Sequence, residues 1–319
     1  MSRVAVGTRR RRAPAKVNLG LRLVGVREDG YHLLESVFAP IGLADALEIE
    51  VSPGDPGIEL EVVSAPSEAL PVALRLPSDG GGENLVVRAA RAFCRRRGWD
   101  ARIRIRLEKR IPVGAGLGGG SSDAAAVLTG LASILDGSEM KSGRVSEELH
   151  ELALSLGADV PFFLYGSPAR VGGIGDEVEP LSGLAALDLV LVNPGIALAT
   201  PEVYRVADVL RGALTDPGAG STMRAISRLC GETGDLASAL GDLLVNDLEP
   251  AARRLCPPVG RLANRLSELG SIGVALSGSG ATVFGVFESA ERAGRAAEAL
   301  RAPDSGAAWV CVTRIIAAG

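Results

Sequence analysis

The chain has 319 residues, of which 47% are hydrophobic and 23% charged, so it is long enough for two domains and can bury a core. Its 34 Lys and Arg against 38 Asp and Glu give a formal net charge of −4, which argues against a nucleic-acid-binding face. Four scattered cysteines and only two histidines argue against a structural zinc site and predict reduced, buried thiols. No segment suits a signal peptide or a membrane helix, so we expect a cytoplasmic globular protein that binds neither membrane nor nucleic acid.

Strand and helix patterns alternate through the first half of the chain. An Asp-Gly turn at 27–30 joins two segments of strand character and predicts a hairpin. Charged and apolar residues alternate strictly at 102–107, which predicts a half-exposed strand of an antiparallel or mixed sheet. The basic run Arg9–Arg12 is interpreted as a solvated arm. In chain order, the predicted elements are strands at 15–24, 31–41, 46–51, 57–63 and 102–107, and helices at 84–97, 121–135 and 147–156.

A shift in composition towards Gly, Pro and Ser at 166–183 marks a predicted domain boundary. We place the two domains at 1–170 and 171–319, with the last strand free to return to the first domain. The fold class is therefore predicted to be α+β in two domains. In the second half, the predicted elements are strands at 187–192, 272–276, 282–287 and 309–315, and helices at 202–214, 236–244, 259–269 and 290–300.

The segment 111–123, IPVGAGLGGGSSD, leads directly into an Ala-rich helix. Its five glycines remove side chains, so that backbone N–H groups can converge on a ligand. The helix N-terminus adds unpaired donors and the positive end of its dipole, and Ser121 and Ser122 are predicted to supply an N-cap and hydroxyl donors. Together these groups predict a phosphate-binding site.

Two common phosphate-binding motifs fit this segment poorly. The P-loop pattern requires a lysine after the glycines, and none follows them. Gly114, Gly116 and Gly119 satisfy the G-x-G-x-x-G pattern of dinucleotide-binding proteins. That fold needs a buried parallel strand before the glycines, whereas 102–107 is amphipathic. An NAD-binding dehydrogenase is therefore disfavoured.

The glycine-rich segment resembles the nucleotide-binding loop of the GHMP kinase superfamily, with its P-x-x-x-G-L-G-S-S-like motif, at Pro112 and 116–122. The resemblance extends through several motifs over nearly the whole chain, to the branch whose substrate is 4-diphosphocytidyl-2-C-methyl-D-erythritol. It implies a ribosomal-protein-S5-like N-terminal domain that binds ATP. The C-terminal domain is implied to be ferredoxin-like α/β and to bind the substrate.

Two further motifs bear on catalysis. Lys16 and Asn18, in P-A-K-V-N-L, share one face of a predicted strand. Asp159, in G-A-D-V-P-F, is from its sequence alone either a cap or a partly buried carboxylate that needs a cationic partner. The resemblance implies that Asp159 is the catalytic base and that Lys16, in the active site, is its partner.

Other motifs bear on binding. The resemblance implies that Tyr31 and His32 lie at the cytosine of the substrate and that Tyr204 stacks on its opposite face. The glycine turn at 277–282 resembles the third motif of the superfamily, although a tight hairpin turn explains its glycines equally well. The N-D-L-E segment at 246–249 is interpreted as mainly structural. The predicted ATP-binding residues are Asn84, Pro112, Val113, Gly114, Ala115, Gly116, Leu117, Gly118, Gly119, Gly120, Ser121, Ser122 and Asp123. The predicted substrate-binding residues are Asn18, Tyr31, His32, Thr200, Tyr204, Ser277, Gly278, Ser279 and Gly280.

The implied reaction transfers the γ-phosphoryl group of ATP to the 2-hydroxyl of the substrate, in the non-mevalonate isoprenoid pathway, with Mg²⁺ as the expected metal. The sequence assigns no metal ligand, and a carboxylate at Asp123 would repel phosphate unless a cation intervenes. Two alternatives stay open, a mevalonate- or homoserine-type kinase and a non-catalytic nucleotide sensor. Tyr31, His32 and Tyr204 favour a cytidine-bearing substrate. The chain is expected to be a monomer or a homodimer.

Overall fold

The computed structural model describes residues 5–64, 70–71, 74–75, 84–137, 145–211, 240 and 243–317. Six of its strands form a first sheet, with the order β3-β4-β2-β5-β6 and β1 paired to β2. All pairs in this sheet are antiparallel except β3 with β4, which are parallel. Its strands are β1 (Gly7–Val26), β2 (His32–Ser52), β3 (Gly57–Ser64), β4 (Arg102–Lys109), β5 (Ala169–Gly172) and β6 (Glu177–Pro180).

The second sheet has the order β10-β7-β9-β8 and is antiparallel throughout. Its strands are β7 (Asp188–Asn193), β8 (Gly273–Leu276), β9 (Val283–Phe287) and β10 (Trp309–Arg314). The described helices are α1 (Leu85–Arg97), α2 (Gly119–Asp136), α3 (Glu147–Leu156), α4 (Val160–Tyr165), α5 (Thr200–Arg211), α6 (Glu249–Leu255), α7 (Pro257–Glu268) and α8 (Ala290–Leu300).

The buried strand β7 shows how the second sheet is covered on both faces. Successive residues of a strand point to opposite faces. Val190 and Val192 belong to a core cluster with apolar residues of α5 to α8. Leu189 and Leu191 belong to another cluster, with residues of β1 and β2. One face of the second sheet therefore packs on helices, and the other packs against the long hairpin of the first sheet.

The described elements confirm the predicted hairpin, the half-exposed strand and the α+β class. β1 and β2 pair across the turn at 27–30, and β4 buries every second residue between an antiparallel and a parallel neighbour. The helices predicted at 84–97 and 147–156 match α1 and α3 to within one residue. The predicted helix at 236–244 lies largely outside the described residues, as does Cys230.

Two predictions about the hairpin were wrong. The segments 31–41 and 46–51 belong to one continuous strand, β2. Asp45, which lies between them, is accommodated inside the strand because its carboxylate accepts the backbone N–H groups of Arg110 and Ile111. The run Arg9–Arg12 is not a solvated arm but part of β1, where alternate arginines point outwards and Arg10 bonds Glu48 across the pair at 2.8 Å. A basic run can thus form a strand when its neighbour supplies the register.

The placement of the domain boundary stays a prediction. β5 and β6, just after residue 168, pair into the first sheet, and β10 pairs into the second. Among the described helices, none is long and apolar enough to cross a membrane. Among the described cysteines, Cys256 and Cys311 are buried and Cys94 is half-buried, and none of the three forms a disulfide.

Candidate active site

The glycine-rich loop connects β4 to α2, and the helix begins at Gly119, two residues before its predicted start at Ser121. Its N-cap is Gly118, whose φ of +71° is a left-handed conformation that glycine adopts without strain. A Cβ at Gly118 would collide with side-chain atoms of Lys16 and Phe163. The prediction that Ser121 or Ser122 caps the helix is therefore wrong. Both lie in its first turn.

A single cavity of about 1000 Å³ lies beside this loop. It brings together predicted residues from distant parts of the chain, including Lys16 of β1 and Asp159 at the start of α4. Of the predicted site, its lining contains Lys16, Asn18, Asn84, Pro112, Val113, Gly114, Ala115, Gly116, Leu117, Gly118, Gly119, Gly120, Ser121, Asp123, Asp159, Thr200, Tyr204, Gly278 and Ser279. The lining does not contain Tyr31, His32, Ser122, Ser277 or Gly280. Asn84 also caps α1, accepting a hydrogen bond from the Val86 N–H.

Lys16 and Asp159 form an ion pair in this cavity, with Nζ and Oδ2 3.7 Å apart. The Lys16 backbone N–H donates to the Leu117 carbonyl, which ties β1 to the glycine-rich loop. Its Nζ donates to Asn18 Oδ1 at 2.6 Å and lies 4.3 Å from the centre of the Phe38 ring. Burial lowers the pKa of Lys16, and the charge of Asp159 opposes this only in part.

Asp159 is not used as a helix cap. It occupies the N-cap position of α4, but its side chain makes no capping hydrogen bond there. Its side chain is 35% exposed, whereas that of Lys16 is 5% exposed. The carboxylate therefore faces the cavity with one side in contact with solvent and the other towards a buried ammonium. Of the two interpretations of Asp159 from sequence, the structure favours the carboxylate with a cationic partner.

The second glycine turn packs directly on the glycine-rich loop. The Ser277 hydroxyl donates to the Gly116 carbonyl at 2.9 Å, and the Gly278 N–H donates to Asn18 Oδ1 at 2.8 Å. A Cβ at Gly116 would collide with the Ser277 carbonyl oxygen. The glycines of both loops are thus needed for their close approach. Ser279 is the serine of this turn that reaches the cavity, and its hydroxyl shares a 2.8 Å hydrogen bond with Thr200.

The aromatic residues separate into two groups. The ring of His32 lies 4.9 Å from that of Tyr204, and its Nε2 is 2.6 Å from Asp208 Oδ1. Tyr204 lines the cavity, and burial, with a smaller contribution from the charge of Asp159, raises its pKa to about 12. Tyr31 is 60% exposed, beneath the guanidinium of Arg27. The structure therefore brings His32 to Tyr204 but leaves Tyr31 outside the lining.

Sequence reasoning missed Lys109 and Asp45. Lys109 also lines the cavity, and its Nζ contacts Asp45 Oδ2 and lies 2.9 Å from Asp123 Oδ2. This ammonium answers the concern that Asp123 would repel phosphate, because it compensates that charge inside the protein. The alternation of β4 could have revealed it: Ile103, Ile105 and Leu107 face the core, and the next residue on that face is Lys109.

The pKa values in this cluster reflect competition between burial and charge. Burial alone would lower the pKa of Lys109, but the two carboxylates outweigh it and raise that pKa. Burial raises the pKa of Asp123 to about 7, although Lys109 opposes the shift. Asp123 Oδ1 and the Ser122 hydroxyl are buried without a hydrogen-bond partner among the described residues.

Comparison with known proteins agrees with this geometry. Residues 84–167 match the family described as "GHMP kinases N terminal domain", and residues 222–305 match "GHMP kinases C terminal". The chain belongs to the GHMP kinase family. It is 41% identical over 301 residues to the 4-diphosphocytidyl-2-C-methyl-D-erythritol kinase of Symbiobacterium thermophilum, covering 94% of this chain and 98% of that protein. The kinase of that name from Thermus thermophilus is also 41% identical, with 94% of each chain covered.

Solved structures of GHMP kinases confirm the two-domain fold. A crystal structure of 4-(cytidine 5'-diphospho)-2C-methyl-D-erythritol kinase has a TM-score of 0.72 and 39% identity, covering 98% of this chain and 100% of that one. The mevalonate kinase of L. major, with R-mevalonate bound, has a TM-score of 0.75 but only 17% identity, over 99% of this chain and 98% of that one. The second likeness shows the fold alone.

Proposed function

We propose that this GHMP kinase transfers the γ-phosphoryl group of ATP to the 2-hydroxyl of 4-diphosphocytidyl-2-C-methyl-D-erythritol. The observation that carries the proposal is the pair of Lys16 and Asp159, 3.7 Å apart, in the same cavity as the glycine-rich loop. Phosphoryl transfer depends mainly on positioning and on neutralising charge, and both are available in this arrangement. The relatives of about 40% identity over nearly the whole chain support the choice of substrate.

The glycine-rich loop and the start of α2 would hold the phosphates of ATP. Backbone N–H groups at a helix N-terminus bind anions, and the helix dipole adds to their attraction. A Cβ at Gly120 would meet nothing within 4 Å, so this part of the loop is open, whereas Gly116 and Gly118 are packed against protein. The base end of the nucleotide would lie towards Asn84, which lines the same cavity.

Asp159 would act as the general base. In the transfer step, the substrate hydroxyl loses its proton to the Asp159 carboxylate and its oxygen bonds to the γ-phosphorus. The bond from that phosphorus to the β-bridging oxygen breaks and ADP leaves. Lys16 would hold Asp159 in its ionised form and stabilise negative charge on the phosphoryl oxygens. Its buried position strengthens both effects, because the surroundings have a low dielectric constant.

Mg²⁺ is the metal expected in phosphoryl transfer, where it would neutralise negative charge on the phosphate groups. Among the described residues, no group of three or more His, Cys, Asp or Glu side chains could hold a metal ion. Mg²⁺ is commonly bound through one or two carboxylates together with phosphate oxygens and water. Asp159 is the partly exposed carboxylate among the described residues of the lining, but as the proposed base it must accept a proton. Mg²⁺ would therefore be held mainly by the phosphate oxygens of ATP and by water, and would neutralise their charge.

The other end of the cavity would receive the acceptor substrate. Tyr204 offers an aromatic face for the cytosine ring, with His32 packed beside it. Ser279 and Thr200 offer hydroxyl groups to the diphosphate. The contact of Tyr31 with a bound base stays a prediction, because Tyr31 lies outside the lining of the cavity. The contacts of Ser277 and Gly280 with substrate stay predictions.

The direct test is turnover of the diphosphocytidyl substrate by wild-type protein, with mevalonate and homoserine as competing acceptors. Asp159→Asn should lower kcat by about 10²- to 10⁴-fold while ATP binding is retained. Asp188→Asn is a matched control, because Asp188 also pairs with a cationic side chain, that of Arg314 at 3.9 Å, and does not line the cavity. Near-normal turnover by Asp159→Asn would remove the base from the mechanism. Wild-type preference for mevalonate would refute the substrate.

A further inference from the structure

The N-D-L-E segment has a role that its sequence did not reveal. Asn246 is buried, and its side-chain amide is fully used. Its Nδ2 donates to the carbonyls of Leu276 and Gly278, both at 2.8 Å, and its Oδ1 accepts from the Leu248 N–H at 2.9 Å. Bonds to both amide atoms fix the orientation of the group. Asn246 therefore holds the second glycine turn on its carbonyl side.

The backbone N–H of the same residue, Gly278, leads to Lys16 of the proposed ion pair. The Gly278 N–H donates to Asn18 Oδ1 at 2.8 Å, and that oxygen also accepts the 2.6 Å bond from Lys16 Nζ. Asn18 Nδ2 donates to the Ser36 hydroxyl at 3.0 Å, so its amide is also fixed. A continuous path of hydrogen bonds runs from Asn246 through Gly278 and Asn18 to Lys16, and all three side chains in it are buried.

We infer that Asn246 is a positioning residue for phosphoryl transfer, acting through Gly278 and Asn18 on the ammonium of Lys16. The inference rests on the proposed function, since it concerns the orientation of the same ion pair. Gly278 has a left-handed φ of +56°, and a Cβ there would lie 3.1 Å from the Gly116 carbonyl oxygen, so the turn is confined from both sides. A shift of Gly278 would displace Asn18 Oδ1, the acceptor of the Lys16 ammonium, and so change the position of Lys16 relative to Asp159. Displacements of about 1 Å in reacting groups can lower rates about 10²-fold.

The test is Asn246→Asp, which keeps the side-chain volume and the acceptor for Leu248 but removes both donors. We expect kcat to fall by about 10- to 100-fold. We also expect the dissociation constant of a non-hydrolysable ATP analogue to change by less than about three-fold, because the nucleotide is held mainly by the first loop. Asp247→Asn is the matched control: Asp247 accepts from the Leu23 N–H at 2.8 Å on the other side of the segment. It should lower the thermal midpoint with kcat unchanged.

A double-mutant cycle separates positioning from general destabilisation. If Asn246 acts through Asn18, the loss of kcat in Asn246→Asp with Asn18→Ala equals that of the worse single variant. If the fold-losses in kcat of the two single variants instead multiply in the double variant, the inference is overturned. A folded Asn246→Asp protein with normal kcat would also overturn it. Where circular dichroism shows Asn246→Asp to be unfolded, Asn246→Ser takes its place in the cycle. Absence of wild-type turnover would instead refute the proposed function, so the two failures are distinguishable.

Discussion

Lys16 and Lys109 are both buried beside the glycine-rich loop, but they face different surroundings. Among the described residues, Lys16 has one carboxylate neighbour, Asp159, at 3.7 Å, and the Asp159 side chain is 35% exposed. Lys109 contacts two carboxylates, Asp45 and Asp123, whose side chains are almost wholly buried. Accordingly the pKa of Lys16 is lowered and that of Lys109 is raised. An ammonium with incomplete compensation can still attract phosphate oxygens, whereas one compensated by two carboxylates is committed to the protein.

The cluster of Lys109, Asp45 and Asp123 lies at both ends of the glycine-rich loop, and this position explains its function. Lys109 is the last residue of β4, just before the loop, and Asp123 lies in α2, just after it. Asp45 accepts the N–H groups of Arg110 and Ile111 at the start of the same loop. The cluster therefore clamps both ends of the segment whose backbone is proposed to bind ATP. The pair of Lys16 and Asp159 would take part in phosphoryl transfer, whereas the cluster of Lys109, Asp45 and Asp123 would fix the loop that binds the nucleotide.

Lys109→Met gives the largest expected effect on stability. Removing one partner from a buried ionic cluster leaves uncompensated charge, here on two carboxylates, and should lower the free energy of unfolding by about 3–5 kcal/mol. Urea unfolding would measure it. Arg104→Met is the matched control on the same strand, because its pairing with Glu59 is exposed and screened by solvent and should contribute little to stability. Equal losses in the two variants would break the comparison.

Lys16→Met should show the reverse pattern. Loss of the ammonium that stabilises the transferring group should lower kcat by about 10²- to 10³-fold, equivalent to about 3–4 kcal/mol of the barrier. Its effect on urea unfolding should be small, because burying the Lys16 charge already carries a desolvation cost that the methionine avoids. Steady-state kinetics and unfolding of the same preparation test both parts. A variant that turns over normally, or one that unfolds like Lys109→Met, would contradict the assignment.

The pair of Lys16 and Asp159 could largely be predicted from the sequence, whereas the cluster of Lys109, Asp45 and Asp123 could not. Lys16 and Asp159 each lie in a motif, and resemblance supplied their meeting across more than 140 positions. Lys109 and Asp45 are polar residues on otherwise apolar faces, a pattern visible in the sequence, but which groups meet there depends on how β2, β4 and α2 pack. The hairpin turn was predicted because Asp-Gly chemistry is local. The continuity of β2 was not, because Asp45 finds its partners only in the folded protein.

Asp123→Asn tests the electrostatics of the clamp. The pKa of Asp123 is raised from 3.8 to about 7, so between these pH values the folded state binds a proton that the unfolded state has lost. The free energy of unfolding should therefore fall as pH rises from about 4 to about 7, by at most about 1.4 kcal/mol per pH unit from this group. The asparagine variant should lack this component. Parallel profiles for the two proteins in urea unfolding would show that Asp123 does not titrate there.

The smallest expected effect is the contribution of the ion pair between Lys16 and Asp159 to stability. Asp159→Asn should change the free energy of unfolding by only about 1 kcal/mol, since this carboxylate is partly solvated and separated from Nζ by 3.7 Å. Lys16 also keeps the Asn18 oxygen and the Phe38 ring as neighbours in that variant. A double-mutant cycle of Lys16→Met with Asp159→Asn should therefore give a coupling energy below that of Lys109→Met with Asp123→Asn. If the coupling energy of Lys16 with Asp159 were the larger, the pair proposed for phosphoryl transfer would stabilise the fold more than the pair of Lys109 and Asp123. The distinction between the two lysines would then fail.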